Sequence, residues 1–490
     1  MFINNWTKAD LSLTLPATRN QRAQTTGDNV STLSTHLKVN AATAGAPGFQ
    51  MPLASGADVN TAPNRWLVAI MGTVLQLVLG TIYSWSYFQK PLMTYAGWNN
   101  QQVAWILSLA ICFLGLSAAV GGVLLPKHGP RKLAVAGALL YALGWAIGGF
   151  ALVSKNLPLL YVGLGVIGGI GLGLGYVTPV ATAAKWFPDK KGFITGMVVM
   201  GFGFGALLMS KVIGPFLLDI CSVTDNGVTT VVWPTVFYYM AFALGIPGVI
   251  AAYFLQNPPV GYAPPGWHGS AAAKADDHDE NVTPSECVKS GRFWLMWFVF
   301  FCNITAGIMF VGFQSPLIQD LFKVTDPGMT AAALAAAGGT LIAISSVFNG
   351  MGRFFWGSLS DKIGRIQTFR AILASQIVVF LLMTQVTNPY IFGALVCYVL
   401  LCYGGGFGTA PSFVLTVFGN KVMGVVYGCL LTAWAMGGLI GPQIVAIIKD
   451  NLKDDPTRAA SLIFLIGAGF LAAGVLVSFA LNNKPFVKKA

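Results

Sequence analysis

Residues 345–366 read SSVFNGMGRFFWGSLSDKIGRI. The pattern is an apolar helix rich in small residues that carries one permanent cation, Arg353, and runs into a short charged loop. If this helix lies in a bilayer, its guanidinium needs a partner or a route to water, because a charge in hydrocarbon is expensive. Composition settles the solvent. Of the 490 residues, 55% are hydrophobic and 9% charged, whereas a soluble domain carries roughly 25% charged residues. Mean hydropathy is +0.67, and the chain is read as a polytopic membrane protein.

A stretch of about 20 apolar residues crosses a hydrocarbon core of about 30 Å. Such stretches fall at 66–88, 102–125, 133–153, 158–181, 193–217, 233–255, 293–318, 331–357, 367–387, 389–413, 425–448 and 460–481. Twelve crossings place both termini on one side. The connections KHGPRK (127–132), KWFPDKKG (185–192) and SDKIGR (360–365), with the final NNKPFVKKA, gather Lys and Arg on that side. The positive-inside rule makes it cytoplasmic, and a plasma membrane, or the inner membrane of a bacterium, is the expected location. The net charge of +12 is then a topology signal rather than a surface for nucleic acid.

Boundaries follow from composition. Residues 1–63, rich in Thr, Ala, Asn and Ser, are expected to be a disordered cytoplasmic tail. Residues 64–255 form a first six-helix half, 256–291 a cytoplasmic linker that is Pro-rich and then acidic, 292–482 a second half, and 483–490 a basic cytoplasmic tail. The halves repeat: Gly122, Lys127 and Gly129 recur 235 residues later as Gly357, Lys362 and Gly364. Pro179 recurs after 232 residues as Pro411, and Gly192, Gly196 and Gly205 recur at the same offset as Gly424, Gly428 and Gly437. A parallel repeat of six helices implies an all-α membrane fold of 12 transmembrane helices in two pseudo-symmetric halves, with substrate bound near the midplane between them.

Several negative readings narrow the function. Five of the seven cysteines fall within apolar runs, where they are packing residues, so neither a disulfide framework nor a metal site is expected. The runs GGIGLGLG (168–175) and GGGFG (404–408) lie inside apolar spans and serve close helix packing rather than phosphate binding. There is no H-E-x-x-H or G-x-S-x-G motif and no His near midplane, which argues against a membrane enzyme. Gln76, Asn303 and Gln314 are polar groups at membrane depth, expected to bond between helices. Lys211, about 30 Å along its helix from Lys191, is expected near the outer interface.

With these motifs in hand, the chain resembles the major facilitator superfamily. GSLSDKIGR (Gly357 to Arg365) is a good copy of that superfamily's loop signature, while the partner loop GVLLPKHGPR (Gly122 to Arg131) has Pro126 where the superfamily usually has Asp. More narrowly, NRW (64–66), YSW (83–85), KWFPDKKG (185–192), and FNG (348–350) with Arg353, Trp356 and Gly357 make residues 64–482 similar to the oxalate:formate antiporter family, a relative of the monocarboxylate transporters. The resemblance implies a secondary carrier of small carboxylates. It also implies that the two loops, through Gly129, Arg131, Gly357, Asp361, Lys362, Gly364 and Arg365, take part in gating.

Arg353 lies eight residues before Asp361, about 12 Å along the helix from the interface. Geometry alone leaves two readings: a snorkelling cation or a substrate ligand. The resemblance selects the second, since the family's span-eight arginine pairs with the substrate carboxylate. In an empty cavity its charge is expected to be hydrated. The family's second cation, a span-eleven lysine, aligns with Trp434 of YGCLLTAW (427–434). One fixed charge best balances a monoanion, so lactate, pyruvate, formate or acetate is the expected class. Tyr83, Tyr176, Tyr403 and Phe407 map onto cavity aromatics, and Asn349 shares the helix face of Arg353 one turn earlier. Monocarboxylate transporters carry an acid where this chain has Asn349, and no Asp or Glu falls near mid-membrane. The expected partners are therefore a small carboxylate and the lipid bilayer, around a monomer without cofactors. Competing readings are an oxalate/formate-type exchanger and a carboxylate sensor on a carrier fold.

Overall fold

Residues 64–226, 228–259, 262–264, 282–419 and 421–486 are described by the computed structural model. The expectations for 1–63, for the acidic run at 276–280 and for 487–490 fall outside them. Twelve helices long and apolar enough to cross a membrane account for most of the described chain. They are α1 (Arg65–Ala96), α2 (Asn100–His128), α3 (Pro130–Val153), α4 (Leu157–Trp186), α5 (Phe193–Ile220), α6 (Trp233–Tyr253), α7 (Gly291–Thr325), α8 (Ala331–Ile363), α9 (Arg365–Met383), α10 (Pro389–Phe418), α11 (Met423–Asn451) and α12 (Pro456–Ser478). Each coincides with one stretch read from hydropathy. The helices α7 and α8 run on past 318 and 357, because a helix needs no apolar residues once it has left the hydrocarbon. Two short antiparallel strands, β1 (Ser222–Asp225) and β2 (Val228–Val231), join α5 to α6.

Local chemistry sets the ends. Asn99 and Gln102 form a capping box at the start of α2, and the Thr330 hydroxyl accepts from Ala333 N–H at the start of α8. Such caps satisfy N–H groups that the helix cannot. The two signature loops turn the same way: Gly129 sits at φ 78° between α2 and α3, and Gly364 at φ 88° between α8 and α9. A left-handed turn of that kind favours glycine, which explains the repeat of this residue at one offset.

Besides π-helical turns in α4 (Tyr161–Gly168) and α5 (Met209–Ile213), two helices are interrupted beside one another. In α1 the α-helix gives way to a 3₁₀ turn at Thr81–Ser84, which contains Tyr83. In α11 it breaks at Leu431 before resuming at Thr432, two residues before Trp434. Irregular backbone at membrane depth is tolerated where protein surrounds it or a cavity adjoins it.

Packing repeats between the first six helices and the last six. The pairs α1·α5, α2·α4 and α3·α6 have counterparts in α7·α11, α8·α10 and α9·α12, and the two groups meet chiefly through α2·α11 and α5·α8. Glycines of the two dense runs make these approaches close. A Cβ on Gly173 would lie 2.2 Å from the Leu114 carbonyl of α2, and one on Gly171 would lie 2.4 Å from the Tyr141 amide of α3. In α10, a Cβ on Gly404 or Gly408 would strike the carbonyls of Asn349 or Arg353, at 2.0 and 2.1 Å. The backbone that carries Arg353 is thus pressed against α10.

Gly171→Ala should therefore force α3 and α4 apart and destabilise the protein by about 1–3 kcal/mol. Gly469→Ala, with nothing within 4 Å of the new methyl, should be neutral or slightly stabilising. Thermal unfolding of the two variants in detergent measures the difference, and equal melting temperatures would contradict the packing account.

Candidate substrate site

Among the described residues, Arg353 is the one charged side chain that is buried, at 1% exposure. In this conformation the cation is enclosed rather than open, because aromatic rings from both groups of six helices close over it. Its guanidinium lies over the Phe407 ring at 4.8 Å and the Phe202 ring at 5.7 Å, and Nη1 donates to the Tyr176 hydroxyl at 3.5 Å. Contacts with aromatic faces offset part of the desolvation penalty, about 0.5–2 kcal/mol each. The other donors on one edge, Nε and Nη2, have no hydrogen-bond partner. A buried donor left in that state costs on the order of 1–3 kcal/mol.

The cage is drawn from six helices, three from each group. Trp434 of α11 packs against Phe407 at 4.7 Å, Tyr176 at 5.2 Å, Phe202 at 5.7 Å and Tyr83 at 6.2 Å. Tyr83 of α1 and Tyr403 of α10 share a hydrogen bond of 2.6 Å between their hydroxyls. Only one of the two protons is used in that bond, so the pair keeps a donor in reserve. Trp434 Nε1 and the Tyr427 hydroxyl are buried without partners as well. The cage is therefore rich in donors and cationic, with no buried Asp or Glu among the described residues.

Six of the seven substrate-site residues read from the sequence, Arg353, Tyr83, Tyr176, Trp434, Tyr403 and Phe407, meet in this cage. The seventh, Asn349, is buried one turn away, with an unpartnered Oδ1. It lines a small void of about 10 Å³ with Tyr83, Gln314, Ser345 and Ser346, which adjoins the cage through Tyr83. Phe202 belongs to the cage but escaped the sequence reading. Its one signal was the glycine spacing of GFGFG (201–205), which marks a tightly packed helix whose phenylalanines must face something. The polar residues at depth bond between helices: Gln76 Nε2 donates to the Tyr176 carbonyl at 3.0 Å, Gln376 Nε2 to Asn303 Oδ1 at 2.9 Å, and Ser345 to Gln314 Oε1 at 2.6 Å.

The site is reached from the basic face. A cavity of about 240 Å³ runs between α4 and α5 on one side and α8 and α10 on the other. It extends from Phe193 and Asp361 inward to Arg353 and Phe407, passing Gly357. At its mouth Asp361 pairs with Arg365 at 2.5 Å, and Arg365 also donates to Ser360. Lys362 is exposed. In the partner loop Arg131 reaches Gln256 at 3.1 Å and lies over the Tyr253 ring at 4.5 Å. Arg65 pairs with Asp189 at 2.9 Å, joining the NRW and KWFPDKKG motifs.

The opposite face is shut. Lys90 of α1 meets Asp320 of α7 at 2.7 Å, and Lys449 of α11 bonds the same carboxylate. Asp450 accepts from Asn100 Nδ2 and the Gln101 amide, both at 2.9 Å, at the start of α2. Lys211 donates to Thr340 Oγ1 of α8 at 2.8 Å, so beyond its expected position near this face it also joins α5 to α8.

Twelve spanning helices, repeated packing and a buried cage entered from one face define an alternating-access carrier architecture. The Major Facilitator Superfamily model matches residues 65–442, and the chain belongs to that superfamily of membrane transporters. It is 27% identical to the oxalate:formate antiporter of Oxalobacter formigenes, over 81% of this chain and 88% of that protein. Identity to apicoplast pyruvate carrier 1 of Toxoplasma gondii is 29%, over 66% of this chain and 65% of that one. In fold it is similar to the crystal structure of a bacterial homologue of the human lysosomal transporter Spinster, with a TM-score of 0.58 at 16% identity, covering 87% and 97% of the two chains.

Asp320→Ala should loosen the shut face, leaving Lys90 and Lys449 to repel. The three side chains are 13–28% exposed, so screening limits the gain to about three- to tenfold. The readout is maleimide labelling of Leu107→Cys, a buried α2 position, in a background without native cysteines. Equal labelling rates with and without Asp320 would show that the triad does not hold this face closed.

Proposed function

We propose that this protein is a secondary carrier of small carboxylate anions that prefers monocarboxylates of the lactate, pyruvate, formate and acetate class. One observation carries the reading: Arg353 is buried in a cage without any acidic partner, and its Nε and Nη2 donors face no acceptor. A carboxylate supplies two oxygens at the spacing of a guanidinium edge, giving a bidentate, charge-assisted contact. It also supplies the single negative charge that the cage lacks. The names of the relatives, an oxalate:formate antiporter and a pyruvate carrier, are in keeping with this chemistry.

Charge balance favours the monoanion. Outside the cage, Lys90 and Lys449 are engaged by Asp320, and Lys211 bonds Thr340 at the far end of α5. Trp434 offers a dianion's second carboxylate an indole N–H but no charge. The basic face is taken as cytoplasmic, so the conformation described opens inward. No buried carboxylate or imidazole among the described residues offers a proton-coupling group, which favours exchange of anions or movement of the substrate with its own proton.

Uptake of labelled lactate, pyruvate, formate and oxalate into proteoliposomes tests the reading. A sensor would bind without accumulation. Arg353→Lys keeps the charge but loses the planar fork, so uptake should fall about 10- to 100-fold at equal incorporation; retention of half the wild-type rate would remove Arg353 from the site. Trp434→Lys should raise the affinity for oxalate relative to lactate by about tenfold. Competition binding measures this, and an unchanged ratio in folded protein would undercut the monoanion preference.

A further inference from the structure

We infer that Phe202 sets the size of the group that a bound carboxylate can carry; the inference rests on the carboxylate reading above. Phe202 is fully buried. Its ring makes edge contacts with Tyr83 at 4.9 Å, Tyr176 at 5.2 Å and Trp434 at 5.7 Å, in addition to its contact with Arg353. Every ring that touches it is itself a cage member. It brings no polar atom, so it can neither bind the carboxylate nor exchange hydrogen bonds with it. What it contributes to the cage is volume.

The backbone behind the ring cannot retreat. A Cβ on Gly201 would lie 2.5 Å from the Thr73 carbonyl of α1, one on Gly80 would lie 2.1 Å from the Phe202 carbonyl, and one on Gly203 would lie 2.6 Å from Gly350 Cα of α8. At Phe202 α5 is therefore wedged between a helix of its own group and a helix of the other, with backbone against backbone. Phe407 differs, since it borders the cavity that opens on the basic face and has space into which to turn. Phe202 does not border that cavity. A ligand with a longer or branched chain can displace Phe407 towards the opening, but it meets Phe202 as a fixed wall.

The wall restricts the site to short-chain acids. Removing the ring leaves an apolar space between Tyr83, Tyr176 and Trp434 that suits a branched 2-oxo acid. Apolar pockets of this kind discriminate by about tenfold or more for a methylene that does not fit.

The test is displacement of labelled pyruvate from the purified full-length protein by unlabelled pyruvate and by 4-methyl-2-oxopentanoate. In Phe202→Ala the ratio of the two inhibition constants should move by at least about tenfold towards the branched acid. Phe202→Leu retains most of the apolar packing and should move it in the same direction by less, and it decides the matter if the alanine variant does not fold. Equal weakening of both acids in the folded variants would mean that Phe202 only packs the cage, and the inference falls. If the wild-type protein bound none of pyruvate, lactate or formate, the carboxylate reading itself would be overturned. Binding by the wild type with a constant ratio in both variants would overturn the wall alone.

Discussion

The structure depends on one electrostatic imbalance: a guanidinium buried between two groups of six helices with no buried acid among the described residues to neutralise it. Burying an arginine beside a carboxylate would satisfy both and leave nothing for a ligand. Here the compensation comes from ring faces, which are attractive to a cation but accept few hydrogen bonds. Phe407 and Phe202 take that part at 4.8 and 5.7 Å, and two donors stay open. The cage is therefore folded yet leaves donors unsatisfied, as the carboxylate site proposed above requires.

The same imbalance ties the site to the seam between the helix groups. Tyr83, Tyr176 and Phe202 come from α1, α4 and α5, whereas Arg353, Tyr403, Phe407 and Trp434 come from α8, α10 and α11. Two contacts, Tyr83 with Tyr403 and Tyr176 with Arg353, are hydrogen bonds that cross the seam. Under the proposed function, an anion that took up Arg353 and a tyrosine hydroxyl would compete with those bonds, which would link occupancy to the relation of the two groups.

Closure is distributed unevenly along the seam. At the shut face it relies on charged and polar side chains at Lys90, Asp320, Lys449 and Asp450. Along α2·α11 and α5·α8 it relies on backbone contact at small residues: a Cβ on Gly115 would lie 2.6 Å from the Leu431 carbonyl, and one on Gly203 2.6 Å from Gly350 Cα. Smooth surfaces of this kind let helices rock without unlocking interdigitated side chains. Ionic contacts in partly wet surroundings are weak individually, and so they suit a face that must open.

By itself the sequence determined the solvent, the twelve spans, the repeat and the presence of a lone deep cation, because hydrophobic length, loop charge and glycine spacing are local properties imposed by the thickness of a bilayer. Resemblance in short motifs added Tyr83, Tyr176, Trp434, Tyr403 and Phe407, which the fold gathers around Arg353. Only the tertiary structure decided that the arginine is enclosed by rings from both helix groups. It also supplied Phe202, the interruptions at Thr81–Ser84 and Leu431, and the sharing of Asp320 by two lysines from different helix groups. These depend on which faces of separate helices meet. In an apolar chain that choice leaves little trace in hydropathy, since every face is already hydrophobic and packing at small residues, not polarity, selects the partner.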